Sequence, residues 1–275
     1  MSAELQAIRC PACGGGVMAK PSDLPRCVFC GNDASELIPF DPERSIEQPS
    51  EYLPFTISET EAAEAFQSFA KSSFWYPNDL RSARLTLQPV LLPCWIWSGD
   101  IETHWTGLAR AATASGKRPV GGQEERSCAQ VLVPSSKTLT IAELSALGSF
   151  DESRAQPFVE MDEAVPYELG EVTRSAARSD AQEVMALRHR QRLTAQGNVH
   201  GVRTSSVCTS LKGRPGLVPV YIGVFRYKDI GYRFLVNGQT AAHYGKAPIS
   251  WMKVVGCFAA VGALALLAVA FAASM

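Results

Sequence analysis

Strong net charge, clustered histidines and catalytic sequence motifs are all missing from this chain of 275 residues. The formal net charge is only -1, so the composition does not indicate a nucleic acid or another polyanion as partner. The four histidines are dispersed and show no metal-ligand spacing. The G-x-S-x-G and H-E-x-x-H patterns are absent, and the sequence nearest to a P-loop, "TASGKRP", has Arg118 where a serine or threonine is needed. We therefore expect that the protein is not an enzyme.

A disulfide framework is also missing. The chain has eight cysteines, of which four lie in one opening cluster and four are scattered without a pairing rhythm. That usage is typical of a reducing compartment, and we interpret the scattered cysteines as small buried hydrophobic residues. No hydrophobic signal region precedes the cluster, so the sequence predicts that the soluble body stays in the cytoplasm.

The opening cluster consists of two Cys-x-x-Cys pairs, each followed by glycine. In "RCPACGGGVMAKPSDLPRCVFCGN" the pairs are Cys10 with Cys13 and Cys27 with Cys30. Thiolates at i and i+3 of a tight turn point inward, and two such turns supply a tetrahedral four-sulfur shell that suits Zn(II). Four thiolates leave no open coordination position for catalysis. The sequence therefore predicts a zinc ribbon over residues 1–40, with Zn(II) in a structural role.

The charge of the predicted ribbon bears on its partners. Its forty residues contain three basic and four acidic side chains, and only Phe29 and Phe40 could stack on a base. Because phosphate neutralisation drives nonspecific nucleic-acid binding, a slightly acidic module lacks the usual electrostatic footprint. We expect the ribbon to serve folding or protein contacts, and we do not expect nucleic acid as its partner.

A long apolar run stands near the other end of the sequence. From Val254 to Ala273, "VVGCFAAVGALALLAVAFAA" has no charged or strongly polar side chain. Twenty helical residues span about 30 Å, the hydrocarbon thickness of a bilayer. Trp251 and Lys253 stand where an aromatic ring and an ammonium group settle among headgroups, and lysines on this side agree with the positive-inside rule. The sequence predicts a single-pass transmembrane tail anchor within residues 251–275, with the body in the cytoplasm.

Between these ends the pattern predicts an α+β body built from a duplicated helix-plus-antiparallel-sheet unit. A linker over residues 41–55 leads into the first unit, 56–135. A connecting segment, 136–178, leads into the second unit, 179–248. Each unit places a helix before an aromatic strand of similar sequence, "LLPCWIW" in the first and "LVPVYIG" in the second. This internal similarity is the basis for predicting duplication.

Local signals refine this outline. Capping boxes at Ser58, Thr140 and Ser179 predict the starts of three helices. The triplet Ser-Gly-Asp at 98–100 predicts a turn between two strands. Residues 149–173 are acidic and poor in aliphatic side chains, which predicts a surface loop.

Six arginines crowd residues 174–203 against two acidic side chains. An acidic segment precedes them, so we expect a solvated helix whose arginines pair internally. Contact of Arg188, Arg190 and Arg192 with anionic lipid or with a partner is the alternative, since a tail anchor would hold the body near the membrane. Nucleic acid is a third interpretation.

The closing stretch "YRFLVNGQTAAHYGKAPIS" and the apolar run after it complete a recognisable set of motifs. With the C-P-x-C-G pair, "LPFTISETEAAEAF", "LLPCWIW" and "VLVPSS", the chain resembles a large bacterial family of TFIIB-type zinc-ribbon membrane proteins. The glycine that usually follows "NGQT" is Ala241 here. Members are often labelled as resembling the primosomal helicase N′, although this chain has no helicase ATP site.

The resemblance implies an adaptor at the cytoplasmic face of the bacterial inner membrane. Relatives tend to occur beside SPFH (band 7) and PspA-like membrane-stress proteins, which makes these the expected partners. We therefore expect a tail-anchored scaffold protein whose ribbon faces the cytoplasm. A membrane-tethered nucleic-acid factor is the alternative. An enzyme that uses a groove between two sheets, lined by Trp95, Trp97, Tyr221 and Tyr227, is a third. The sequence does not indicate an oligomeric state.

Overall fold

The computed structural model describes residues 6–20, 24, 26–33, 37–39, 47–110, 116–136, 138–161, 165–195, 199–228 and 230–273. The ends of the predicted ribbon and much of the predicted linker lie outside these residues. Three strands belong to the ribbon: β1 Gln6–Arg9, β2 Gly16–Ala19 and β3 Ile38–Pro39. The remaining elements are β4 Glu51–Tyr52, α1 Glu59–Lys71, β5 Leu85–Arg110, β6 Lys117–Pro134, α2 Ile141–Ala146, β7 Gln156–Pro157, β8 Tyr167–Glu168, α3 Arg174–Ala195, β9 Val199–Tyr227, β10 Ile230–Asn237, β11 His243–Gly245 and α4 Trp251–Ala273.

The described strands belong to one eleven-stranded sheet. Its main path runs β11-β10-β9-β5-β8-β2-β1-β3, so the ribbon continues the sheet of the body through β8. Two very long strands, β5 and β9, form its centre and pair antiparallel from Leu85 opposite Phe225 to Ala109 opposite Val199. The other edge of β5 pairs with β6 over the half of β5 that is farther from Leu85. Mixed α and β structure, a four-cysteine cluster and an apolar last helix agree with the predicted fold class.

The duplication of the body is not confirmed. The similar segments "LLPCWIW" and "LVPVYIG" lie beside each other in the central strand pair, where Leu92 faces Val218 and Pro93 faces Leu217. They resemble each other because both run through the same buried part of one sheet, where apolar and aromatic side chains fill the two faces.

The predicted turn at 98–100 is wrong, because β5 passes through it without reversing. The register of β5 shifts there against both neighbours, between Trp97 and Gly99 on the β6 side and between Ser98 and Asp100 on the β9 side. A Cβ on Gly99 would lie 3.0 Å from the carbonyl oxygen of Thr209. The glycine therefore serves a β-bulge with close backbone approach, which is its other common use in strands.

Three helices confirm or correct the capping predictions. Ser58 caps α1 and Thr140 caps α2, each with a complete capping box. Helix α3 begins at Arg174, so the start predicted at Ser179 is wrong. Ala177 and Ala181 are fully buried against the sheet, and this alanine face extends the helix past the serine that could have capped it.

The core has a separate apolar cluster for each covering element. Helix α1 packs Phe66 and Phe69 against β9 and β10 near the start of α4. Helix α3 covers Trp95, Trp97 and neighbouring residues of β5 and β6. The ribbon and α2 cover the face of the central sheet that is opposite to α1 and α3.

The acidic segment at 149–173 is not wholly a surface loop. Its strand β8 buries both Tyr167 and Glu168. The strand lies between β5 and β2, with Tyr167 beside Leu91 and Glu168 beside Val17. A two-residue strand in an acidic segment gives no periodicity, so only its tertiary position buries it.

Candidate metal centre and membrane-proximal end

The four predicted ligands come together as one cluster. The Sγ atoms of Cys10 and Cys30 are 3.7 Å apart, as are those of Cys13 and Cys27, and all four lie within 4.8 Å of one another. A tetrahedron with metal–sulfur bonds of about 2.3 Å has edges of about 3.8 Å. The four cysteines can therefore hold a metal ion, as predicted from their spacing.

Two equivalent turns place these sulfurs. In the first knuckle, residues 10–15, the amide of Gly14 donates to the carbonyl of Cys10 at 2.8 Å. In the second, residues 27–32, the amide of Gly31 donates to the carbonyl of Cys27 at 2.9 Å. Both glycines have positive φ, 76° and 75°, a conformation that other residues rarely adopt. The glycines after each cysteine pair are therefore required by the turn.

The thiols of Cys13, Cys27 and Cys30 hold their protons with unequal strength. The Cys27 thiol donates to the Cys13 sulfur, which lowers the pKa of Cys13 to about 5 and raises the pKa of Cys27. Burial raises the pKa of Cys30 to about 11. A divalent cation binds thiolates, so it would replace these protons and release them to solvent.

A buried carboxyl group behind the ribbon was missed by sequence reasoning. Glu168 is 3% exposed, and its Oε1 accepts a hydrogen bond of 2.8 Å from the hydroxyl of Thr138. Its Oε2 has no hydrogen-bond partner among the described residues. Burial raises the pKa of Glu168 to about 8. The acidic composition of the segment concealed this position, since its other carboxylates give no sign of which one is buried.

The last helix is the candidate anchor. Its stretch Trp251–Ala270 is long and apolar enough to cross a membrane, and none of it is buried against the body. Lys253 ties its first turn to the loop after α1: Nζ donates to the carbonyls of Phe74 and Tyr76 at 2.9 and 2.7 Å and to Asn78 Oδ1 at 2.8 Å. The predicted anchor residues therefore lie at and beyond the junction of α4 with the body, with Val254 just inside the helix and Ala273 as its last residue.

Exposed apolar side chains surround this junction. Phe74 is 65% exposed, Ile230 59% and Ile249 56%, and Trp75 is also exposed. Phe74 and Trp75 contact each other edge to face. They come from the loop after α1, the start of β10 and the segment before α4, so the fold, and not one sequence run, gathers an apolar collar at the start of α4.

The three arginines predicted to touch lipid or a partner lie elsewhere. Arg192 pairs with Glu124 of β6 at 2.5 Å, and Glu124 also contacts the buried His189 at 3.2 Å. This group faces β5 near Thr103, which bonds His189 at 3.1 Å. Arg192 is therefore paired within the molecule, with a carboxylate of β6 and not of the acidic segment before the helix. Contact of Arg188 and Arg190 with lipid or a partner stays a prediction.

No family model, curated protein or solved structure matches the chain. The resemblance to zinc-ribbon membrane proteins therefore stays an expectation, and the function must be argued from the cluster and from the last helix.

Proposed function

We propose that this protein is a tail-anchored membrane protein that displays a structural zinc ribbon to cytoplasmic partners as a binding or scaffold adaptor. The observation that carries the proposal is the joining of ribbon and anchor by one sheet: β8 links the ribbon to β5, and β10 continues to the segment before α4. A ribbon attached in this way is held at a defined position relative to the membrane.

Zinc is the metal that the donor set favours. Cys10, Cys13, Cys27 and Cys30 offer four soft thiolate ligands, and their sulfur distances suit a tetrahedral ion. Zn(II) would cross-link the two knuckles and so supply folding free energy. A closed four-thiolate shell leaves no coordination position for a substrate. The role assigned to the ion is structural.

The first knuckle is the part of the ribbon that a partner can reach. Pro11, Ala12, Cys13 and Gly14 are all exposed, whereas Val28 of the second knuckle is buried. A small apolar tip that is rigid before binding loses little entropy on association. The expected partners are membrane proteins of the SPFH or PspA-like kind at the inner face of the bacterial membrane.

Two experiments test the proposal. Membrane fractionation of cells that express the full chain, and of a chain ending at residue 248, should place the first in the membrane and the second in the soluble fraction. Metal analysis of the purified full chain should give one zinc per chain. A soluble full chain, or one without zinc, contradicts the proposal.

A matched pair of variants tests the adaptor role. A12E changes the exposed knuckle and leaves all four cysteines, so partners that copurify from detergent-solubilised membranes should be lost while zinc stays at one per chain. E125Q on the exposed face of β6 is the control and should keep both. If A12E keeps every partner, the ribbon is only a fold element.

A further inference from the structure

A cavity lies between the second knuckle and the central sheet, close to the anchor. Its volume is about 690 Å³, within the range of small-molecule sites. Knuckle residues Val28 and Gly31 form one wall, and Thr86, Gln88 and Val224 of β5 and β9 form another. Cys27 and Cys30 of the metal cluster also line it, so the second knuckle belongs to both the cluster and the cavity wall.

Three arginines line this cavity: Arg26, Arg84 and Arg226. Arg84 and Arg226 stand opposite each other, one step beyond the Leu85–Phe225 pair that ends the β5–β9 ladder. Like charges directly opposite each other destabilise a strand pair. None of the three has a carboxylate partner among the described residues, and no described lining residue is acidic. A zinc-loaded four-thiolate cluster would carry a net charge of about -2 beside three guanidinium groups, so the cavity keeps a net positive charge that an anion would balance.

Several other arginines among the described residues do have a carboxylate partner. Six of them have a carboxylate within ion-pair distance: Arg9, Arg154, Arg174, Arg192, Arg214 and Arg233. The three cavity arginines instead share their space with the polar side chains of Thr86 and Gln88. Guanidinium groups with added hydroxyl and amide groups are the donors that proteins use for phosphate.

The position of the cavity relative to α4 identifies the source of the phosphate. Arg226 precedes Tyr227, whose hydroxyl donates to Asp79 Oδ1 at 3.1 Å. The neighbouring Asn78 accepts from Lys253 in the first turn of α4. The apolar collar of Phe74 and Ile230 lies at the same junction. Because successive side chains of a strand point to opposite faces, the cavity and the junction lie at the same end of β9 but on opposite faces of the sheet. A basic side chain at this end acts on an anionic surface that comes within the screening distance of about 8 Å.

We propose that this cavity binds the phosphate of an anionic phospholipid headgroup, with the acyl chains leaving past the end of the sheet at which α4 begins. The proposal rests on the membrane anchoring proposed above and adds a lipid class to it. Arg84 and Arg226 hold the phosphate, and Arg26 brings the ribbon into the same site. Lipid binding therefore sets the angle at which the ribbon stands on the membrane.

The test uses the full-length, zinc-loaded protein in a neutral detergent and follows its thermal midpoint. Short-chain phosphatidylglycerol at saturation should raise the midpoint by about 5 °C, because it binds only the folded state. Short-chain phosphatidylcholine should not raise it. In R84Q/R226Q the apparent affinity for phosphatidylglycerol should fall about 30-fold, a factor of about five for each basic residue. R118Q/R203Q removes the same charge from exposed positions at the far end of β6 and β9 and should keep the wild-type affinity.

Further arms separate the sources of phosphate. Inorganic phosphate that gives the full shift without lipid, or an oligonucleotide whose shift is lost in R84Q/R226Q while phosphatidylglycerol has none, overturns the lipid assignment. Equal lipid shifts in all three proteins overturn the site. The unliganded midpoint of R84Q/R226Q should be equal to that of wild type or slightly higher, since both side chains are exposed and the substitution removes their mutual repulsion. Fractionation of this variant with the membrane distinguishes failure of the lipid site from failure of the anchor.

Discussion

The two cysteine knuckles have the same backbone and opposite surroundings. Each closes with a glycine amide bonded to the first cysteine carbonyl, at 2.8 and 2.9 Å, and each glycine has nearly the same φ. Pro11 and Ala12 of the first are exposed, whereas Val28 and Phe29 of the second are 3% and 5% exposed. The cysteines and glycines define the chelating turn, and the two residues between the cysteines decide whether it faces solvent or the body.

This difference gives the ribbon two roles from one motif. The second knuckle attaches the ribbon to the sheet, with Gly31 close to Val224 of β9. The first is held out as a tip. Loss of the metal should loosen both knuckles, the second one less because the sheet also holds it, while changes to the intervening residues should destabilise only the second.

The largest effect is expected from loss of one ligand. C13S and C27S each leave three thiolates, and a structural zinc supplies on the order of 10 kcal/mol of folding free energy in small peptides. Both variants should lose zinc, as measured by metal analysis. Hydrogen exchange should then differ: C27S should expose the amides of Val28 and Phe29, and C13S should leave them better protected. Equal exchange in both would show that the metal alone holds the second knuckle.

Substitutions at the matching positions Phe29 and Ala12 test directly whether only the second knuckle is packed against the body. F29A empties a buried site and should lower the free energy of unfolding by about 4 kcal/mol. A12F at the corresponding exposed position should change it by less than about 0.5 kcal/mol. Denaturant unfolding of the zinc-loaded proteins measures both. A large cost of A12F would mean that the first knuckle is also packed.

The free energy of unfolding should also depend on pH through Glu168, which lies on the buried side of the ribbon, and not through the exposed tip. Burial raises the pKa of Glu168 from 4.5 to about 8, so the folded state holds a proton that the unfolded state releases. This contribution is fully present below pH 4.5 and is lost as pH rises through about 8. Stability should fall by about 3 kcal/mol between pH 4.5 and 7 on this account. E168Q should remove that part of the slope in unfolding titrations, and E125Q should keep it.

The smallest expected effect compares the two glycines. G14A must adopt positive φ in open space and should cost about 1 kcal/mol. G31A has the same φ and would place its Cβ 3.1 Å from Val224, so it should cost about 2 kcal/mol. Unfolding midpoints at constant zinc measure the difference. If the two costs are equal, contact with β9 contributes nothing to the second turn.

Sequence patterns predicted the features that depend on residues close together in the chain. The cysteine spacing predicted the cluster, and the boxes at Ser58 and Thr140 predicted two helix starts. Long-range pairing was beyond them: β5 continues through 98–100 because β9 pairs with it on both sides of the bulge. Glu168 is buried because the ribbon folds over it, a contact between residues about 150 apart in sequence.

The arginine cavity illustrates the same limit. Arg26, Arg84 and Arg226 lie on three segments that the sequence gives no reason to combine. The arginines that stand out in the sequence, at 188–192, form a conspicuous run on one helix. Counting charges along the chain finds such runs. Arginines that tertiary folding brings together can be found only when the strand register of the sheet is known.

The length of the central strands gives the molecule a mechanical property. Strand β5 has 26 residues and β9 has 29, so at about 3.3 Å per residue they extend roughly 85 to 95 Å. Hydrogen bonds join them along most of that length, and α3 braces one face of the outer part. A strand pair braced in this way bends little. A force applied to the outer part of β5 reaches the end that carries α4 as torque on a lever, so binding at the outer tip would tilt the whole body against a membrane that held α4.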